Sequence, residues 1–232
     1  MKTETTQNPG GVNLHRRAFL QYAGAGAAAI GLLAAGCKKL DGVGMKKTSA
    51  NGIDIGSGDL AILNYAYALE QLEAAFYNQV ATTPYKNINA SESYRLLNIR
   101  GHEVIHREFF KAALGANAIP DLTPDFSSID FTDRTSVLKA AKAFEDTGVA
   151  AYDGAGYLIQ NPDYLTIAGK IVSVEARHAA YIRNLLNFGD YAGSDVIDAN
   201  GLNNSMTIAQ VLAIANTFLK TKVSASHYNY VA

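Results

Sequence analysis

The chain has 232 residues, of which 48% are hydrophobic and 18% are charged, and it contains only 5 prolines. This length and apolar content suffice for one sizeable domain with a buried core, and they argue against disorder over most of the chain. The formal net charge of -1 offers no basic surface that would favour nucleic acid as a partner.

The first 36 residues have the features of an export signal. Arg16 and Arg17 precede an apolar run rich in alanine and glycine, YAGAGAAAIGLLAAG, which ends next to Cys37. The run is about 15 residues long, whereas a membrane-spanning helix needs roughly 20. This order of segments predicts a twin-arginine export signal over residues 1–36. A stable transmembrane anchor is the alternative interpretation.

Cys37 is the only cysteine of the sequence, so the chain cannot form an intramolecular disulfide or a CxxC metal or redox site. The ending LAAGC resembles a bacterial lipobox, although Ala34 stands three positions before the cysteine, where leucine is expected. The resemblance implies that Cys37 is lipidated and that the mature protein is tethered to a membrane in the periplasm or cell envelope. Residues 37–57 are rich in glycine, lysine and serine, which predicts a flexible linker.

Residues 58–189 carry four long helical patterns, at about 58–80, 91–114, 133–160 and 162–188. Ser91 is the expected N-cap of the second helix, and Gly115 follows its end. Asn161 and Pro162 provide an N-cap and a first-turn proline for the fourth helix, which Gly189 is expected to stop.

Each predicted helix carries one glutamate on a stripe that is otherwise apolar. These residues are Glu70, Glu103, Glu145 and Glu175. His106 and His178 follow the second and fourth glutamates by three residues, and random placement would produce only roughly 0.2 such pairs. Residues at positions i and i+3 share one face of a helix, so both Glu-x-x-His pairs are predicted to point into the bundle.

An internal repeat relates the two halves of this region. Tyr77 follows Glu70 by the same interval at which Tyr152 follows Glu145, and each of these helices precedes one with Glu-x-x-His. Both tyrosines are expected to lie close enough to hydrogen-bond one of these inward-facing glutamates, as core residues or as participants in redox chemistry. In the repeat Glu73 aligns with glycine, so we expect it at the edge of the bundle.

Two further segments define the connectivity. Residues 115–131 contain two prolines and can reach about 55 Å when extended, enough to run the roughly 37 Å length of a 25-residue helix. They therefore predict one long crossover. Residues 190–232 predict a loop and an apolar helix near 206–221 that packs across the bundle, with a partner interface as the alternative.

The chain resembles the ferritin-like di-metal carboxylate proteins and, more narrowly, the bacterial exported ferritin-like domain proteins related to desiccation-associated proteins. The segments that carry the resemblance are YALEQLEAAFY, HEVIHRE, AFEDTGVAAY and VEARHAAY. It implies an all-α ferritin-like four-helix bundle. It also implies two divalent ions, iron or manganese, bound by Glu70, Glu103, His106, Glu145, Glu175 and His178.

The resemblance implies several activities: ferroxidase, peroxide reductase, catalase-like disproportionation or oxygen activation. The chain lacks a cysteine module that would deliver electrons, so ferroxidase or catalase-like chemistry with O2 or peroxide is favoured in envelope stress defence. A non-catalytic envelope lipoprotein related to stress or desiccation is the rival hypothesis, and a homo-oligomer is left open. His102 and His227 are expected to be solvated.

Overall fold

The computed structural model describes Thr48–Ser49 and residues 52–232. Within this part of the chain there are five α-helices, which are α1 Gly58–Thr82, α2 Ala90–Leu114, α3 Arg134–Ala155, α4 Pro162–Leu186 and α5 Ile208–Ala215. The predicted export signal and Cys37 lie outside the described residues. Among the residues that are described, no helix is long and apolar enough to cross a membrane.

The first four helices form the predicted all-α bundle. Helix α1 packs most extensively against α2, and α3 packs against α4, while contacts between α1 and α3 join the two pairs. The short links 83–89 and 156–161 connect the helices within each pair, and the long link 115–133 connects α2 to α3. Short links favour antiparallel neighbours, so the middle sections of the four helices lie at one level.

An aromatic cluster fills one part of the core. Phe76 of α1 is fully buried and lies 5.0 Å, between ring centroids, from Phe144 of α3. Phe126 and Phe131 of the long link contact Phe76 at 5.9 and 5.8 Å, and Phe218 packs on Phe144 at 4.8 Å. The crossover and the C-terminal section are therefore held on the bundle by aromatic packing.

The start of α2 differs from the prediction. Its N-cap is Asn89, whose side chain accepts a hydrogen bond from the backbone of Glu92, so Ser91 lies inside the helix. Asparagine caps as well as serine does, and the sequence pattern did not distinguish the two positions. The predicted N-cap Asn161 and first-turn Pro162 of α4 are observed.

The ends of α3 and α4 lie before the predicted ones. The α-helical part of α3 ends at Ala155 and a 3-10 turn follows over Gly156–Leu158, because Asp59 takes up the backbone N–H groups of Gln160 and Asn161. Helix α4 ends at Leu186, three residues before Gly189, which has a positive φ of 89°.

A small sheet, which the sequence did not predict, joins the two ends of the described chain. Strands β1 (Thr48–Ser49) and β2 (Gly52–Asp54) are antiparallel, and β2 is parallel to β3 (Val223–Ser224). Ile53 and Ile55 are buried. Residues 52–55 of the predicted linker therefore pack on the helical domain. One isoleucine in so short a strand and another directly after it leave no recognisable periodic pattern in the sequence.

The C-terminal helix is shorter than the predicted 206–221. Helix α5 spans Ile208–Ala215 and continues as a 3-10 turn over Asn216–Phe218. It contacts α3 and α1, and its Val211 and Leu212 are fully buried. This helix therefore packs on the bundle.

Candidate metal centre

Four glutamates meet in the interior of the bundle. Glu70, Glu103, Glu145 and Glu175 come from α1, α2, α3 and α4, and each is at most 1% exposed. Each lies near the middle of its helix, so the packing of the helices brings all four to the same level. Four like charges in a core are unfavourable unless protons or cations neutralise them.

The carboxylates and the two histidines form two groups that could each hold a metal ion. One group consists of Glu70, Glu103, His106 and Glu175, and the other of Glu103, Glu145, Glu175 and His178. In each group, one ligand atom from every residue lies within 4.8 Å of the others. Glu103 and Glu175 belong to both groups and are the shared carboxylates, whereas Glu70 and Glu145 belong to one group each and are called the terminal carboxylates.

The histidines approach the carboxylates in matching ways. Nδ1 of His106 lies 2.8 Å from Oε1 of Glu175, 3.4 Å from Oε2 of Glu70 and 3.8 Å from Oε2 of Glu103. Nδ1 of His106 therefore faces three carboxylates.

Nδ1 of His178 has the equivalent surroundings. It lies 2.8 Å from Oε1 of Glu103, 3.4 Å from Oε2 of Glu145 and 3.5 Å from Oε2 of Glu175. The two Glu-x-x-His pairs thus point into the bundle, as the spacing predicted.

These ligand atoms lack hydrogen bonds despite their burial. Among the described residues, the buried atoms without a hydrogen-bond partner include both oxygens of Glu103 and Glu175, Oε2 of Glu70 and Glu145, and Nδ1 of His106 and His178. The short nitrogen–oxygen distances therefore do not have hydrogen-bond geometry. An unsatisfied buried polar atom costs about 1–3 kcal/mol, and cations between these atoms would remove that cost. The donor set fits two divalent ions.

The two predicted tyrosines hydrogen-bond the terminal carboxylates across the bundle. Tyr77 of α1 donates to Oε1 of Glu145 at 2.5 Å, and Tyr152 of α3 donates to Oε1 of Glu70 at 2.6 Å. In both glutamates the hydroxyl occupies one oxygen and leaves Oε2 facing the cluster. Each tyrosine therefore orients a carboxylate of the other repeat half.

The surroundings shift the pKa values of the site strongly. Burial would lower the pKa of His106 and His178, but the carboxylates around each ring outweigh it and raise both values to about 12. Burial raises the pKa of Glu145 to about 8, helped by the charge of Glu103. Burial also favours a high pKa for Glu175, but the two histidines lower it to about 2.

Glu73 does not lie at the edge of the bundle, contrary to the prediction. It is 4% exposed, and burial, followed by the charges of Glu103 and Glu175, raises its pKa well above the ordinary value. The repeat aligns Glu73 with Gly148, and the missing side chain at Gly148 allows Glu73 to be buried, whereas the alignment was expected to place Glu73 at the edge. A Cβ at Gly148 would lie 3.0 Å from Oε1 of Glu73, so the absent side chain provides the space in which this carboxylate is buried.

His102 is exposed, as expected, but it also contacts the site. Its Nδ1 lies 2.8 Å from Nε2 of His178. No local sequence pattern reveals this contact, because His102 and His178 lie on different helices. The position of His102 directly before Glu103, at the flank of the inward-facing stripe, was the one available signal.

A comparison with protein families agrees with this geometry. A model of the ferritin-like domain matches residues 58–188, which is more than half of the chain. The chain belongs to the ferritin-like domain family. The match spans α1 to α4 and so contains all six predicted ligands of this ferritin-like domain. No curated protein matches the chain.

Proposed function

We propose that this ferritin-like protein holds two iron or manganese ions among Glu70, Glu103, His106, Glu145, Glu175 and His178, and that it oxidises ferrous iron with O2 as the electron acceptor or disproportionates peroxide. The observation that carries the proposal is the pair of four-residue groups that share Glu103 and Glu175. The four glutamate charges balance those of two divalent ions, so the loaded site is neutral inside the core.

Each residue has a distinct part in holding the ions. Glu103 and Glu175 would contact both ions, while Glu70 with His106 and Glu145 with His178 would complete one position each. Tyr77 and Tyr152 hold the terminal carboxylates in place. An imidazole nitrogen binds a metal only without its proton, so binding releases protons from the histidine rings.

The source of the electrons limits which redox reactions this chain can carry out without a cysteine relay. The bound metal pair would supply a reversible change of oxidation state. Cys37 is the single cysteine of the sequence, so the chain cannot hold a relay centre that takes several cysteine ligands. Ferrous iron and peroxide both bring their own electrons, so this chemistry needs no relay of cysteine ligands.

Export to the periplasm or cell envelope, in a role in stress defence, is part of the proposal. Its support is the sequence alone, in the twin arginines Arg16 and Arg17 and the lipobox-like ending at Cys37. Mass spectrometry of the mature N-terminus tests it. A lipidated N-terminal cysteine is expected, and an unmodified N-terminus elsewhere in the chain would exclude tethering through Cys37.

The metal site is tested by elemental analysis of the parent, the double variant Glu103→Ala/Glu175→Ala and a control, Glu108→Ala. Glu108 lies on α2 with its side chain 55% exposed, so the control protein should bind two ions, as the parent does. The double variant should lose both, because it lacks both shared carboxylates. Unchanged metal content in the double variant would disprove the site.

Turnover is measured on protein loaded separately with iron and with manganese. Oxygen uptake with ferrous iron reports ferroxidation, and oxygen evolution from peroxide reports disproportionation. We expect at least one of these activities without an added reductase. If both preparations hold two ions and neither turns over, the non-catalytic envelope lipoprotein is the better description.

A further inference from the structure

His102 and His178 are joined edge to edge across α2 and α4. The Nδ1–Nε2 distance is 2.8 Å, the ring planes differ by 8° and the centroids lie 5.1 Å apart. This centroid separation equals the nitrogen–nitrogen distance plus the radii of the two rings. The rings are therefore coplanar and share one in-line hydrogen bond, and they do not lie face to face.

The position of the proton in this hydrogen bond follows from the other side of His178. Its Nδ1 faces Glu103, Glu145 and Glu175 at 2.8 to 3.5 Å. To bind a cation there, Nδ1 must be bare, so the neutral ring carries its proton on Nε2. That N–H then donates to Nδ1 of His102, which acts as the acceptor.

The internal repeat gives His106 no equivalent partner. His102 directly precedes Glu103, and the residue that directly precedes Glu175 is Val174. A valine side chain cannot accept a hydrogen bond from an imidazole. The two otherwise similar metal positions therefore differ in how their histidines are supported.

We propose that His102 is a positioning residue that holds the His178 ring, with its proton on Nε2, so that Nδ1 is presented to the position formed with Glu103, Glu145 and Glu175. The inference rests on the proposed metal site. It deepens that proposal by making the two positions unequal, with only the one completed by His178 dependent on His102. Second-sphere partners of this kind change metal affinity by roughly 10- to 100-fold.

Three substitutions of His102 separate acceptance of the hydrogen bond from the shape of the side chain. His102→Ala removes the acceptor, and His102→Phe keeps a planar ring without one. His102→Asn places a carbonyl oxygen on Cγ, where histidine has Nδ1, and so retains an acceptor. His227→Ala is the control, since His227 is an exposed histidine in the C-terminal section.

The affinity measurement is anaerobic titration of each protein with manganese(II). The parent and the His227→Ala control should bind two ions. In His102→Ala and His102→Phe, one ion should bind as in the parent and the other roughly 10- to 100-fold more weakly, while His102→Asn should restore most of this affinity.

A second measurement uses nuclear magnetic resonance to detect the proton of the hydrogen bond between His178 and His102. In zinc-loaded protein with 15N-labelled histidine, the Nε2–H proton of His178 should resonate downfield in the parent and in His102→Asn. It should move upfield in the alanine and phenylalanine variants, because the acceptor is gone. This readout does not depend on turnover.

The possible outcomes distinguish a failure of the role of His102 from a failure of the proposed metal site. If the parent binds two ions and His102→Ala binds both equally well, His102 does not position His178. If His102→Asn weakens manganese binding as much as His102→Ala does, hydrogen-bond acceptance is not the role of His102. A parent that binds no manganese would overturn both the metal site and this inference.

Discussion

At the scale of single residues, the hydroxyls of Tyr77 and Tyr152 select which oxygen of a terminal carboxylate remains for a cation. Burial, followed by the charge of the neighbouring glutamate, raises the pKa of both tyrosines well above the ordinary value. Both hydroxyls therefore remain protonated donors at neutral pH. A donor that cannot ionise restrains the carboxylate in one orientation without contributing charge.

Removing either hydroxyl should slow turnover more than it weakens metal binding. Tyr77→Phe and Tyr152→Phe each free one carboxylate oxygen, and the activity should fall by about 10- to 100-fold while manganese affinity falls by less. Initial rates and metal titrations measure the two effects. Tyr94→Phe serves as the control, because Tyr94 is 65% exposed. Equal losses of affinity and activity would contradict the expectation.

Glu73 should destabilise the metal-free protein at neutral pH. The pKa of Glu73 in the folded protein is raised well above the ordinary value of 4.5. Between the ordinary and the raised value, the carboxyl is ionised in the unfolded chain but protonated in the folded protein. Stability associated with Glu73 is therefore fully present below its unfolded pKa and is lost as the pH rises towards the native pKa.

Glu73→Gln should remove this loss with little change of shape. Its free energy of unfolding should match that of the parent near pH 4 and exceed it at pH 7, by up to about 1.4 kcal/mol for each pH unit above the unfolded pKa. Urea unfolding at both pH values measures the difference, and metal content should stay nearly unchanged. A variant that is less stable than the parent at pH 7 would contradict the argument.

At the scale of elements, contacts between helix ends set the level at which the helix centres meet. Asp59 at the start of α1 accepts hydrogen bonds from the backbone of Gln160 and Asn161, at 2.8 and 2.9 Å. Arg134 at the start of α3 pairs with Glu92 of α2 at 2.8 Å. These contacts fix the positions of the helix ends relative to one another. The glutamates in the middle of the helices are therefore held at the same level.

Helix α3 also holds the C-terminal section through a close backbone approach. Met206 donates its N–H to the carbonyl of Ala150 at 3.0 Å, and a Cβ at Gly154 would overlap the carbonyl oxygen of Met206. Gly154 is therefore required by this approach and not by its own backbone conformation.

Two glycine-to-alanine substitutions should have opposite effects on stability. Gly154→Ala should destabilise the protein by about 1–3 kcal/mol, because Met206 must move. Gly169→Ala, on α4, meets open space and should stabilise by about 0.5–1 kcal/mol through helix propensity. Urea unfolding of both variants compares them directly. Stabilisation by Gly154→Ala would show that the C-terminal section does not constrain α3.

At the scale of the whole molecule, the core site links metal binding to protons. With a pKa of about 8, Glu145 is mostly protonated at pH 7 in the metal-free protein. With pKa values of about 12, His106 and His178 are protonated as well and neutralise glutamate charge. Ligation through Nδ1 requires that these protons leave. Metal ions therefore replace protons as the neutralising charges of the core.

Metal affinity should consequently rise with pH. Each proton displaced should change the affinity by about tenfold per pH unit below the histidine pKa. Manganese titration calorimetry at pH 6 and pH 8, in two buffers with different ionisation enthalpies, measures affinity and proton release together. Equal affinities at both pH values without proton release would show that the imidazoles bind no metal.

The sequence by itself determined the four helices and the six inward-facing residues of the candidate site. Helical periodicity, the Asn161–Pro162 start and the Glu-x-x-His spacing are local properties, since residues three apart share a helix face wherever the helix lies. The repeat then paired the halves and located Tyr77 and Tyr152. The cap of α2 is Asn89 and not the predicted Ser91, because two residues with similar capping ability stand only two positions apart and a local pattern does not separate them.

Only the tertiary structure decided how these residues meet. Glu103 and Glu175 are shared by both groups because of which helices face each other, and the hydrogen bond from His102 to His178 depends on the same packing. Glu73 is buried because Gly148, on another helix, leaves room for it. The pairing of β2 with β3 joins the two ends of the described chain. Contacts between residues far apart in sequence depend on packing across the bundle, and no local pattern records that packing.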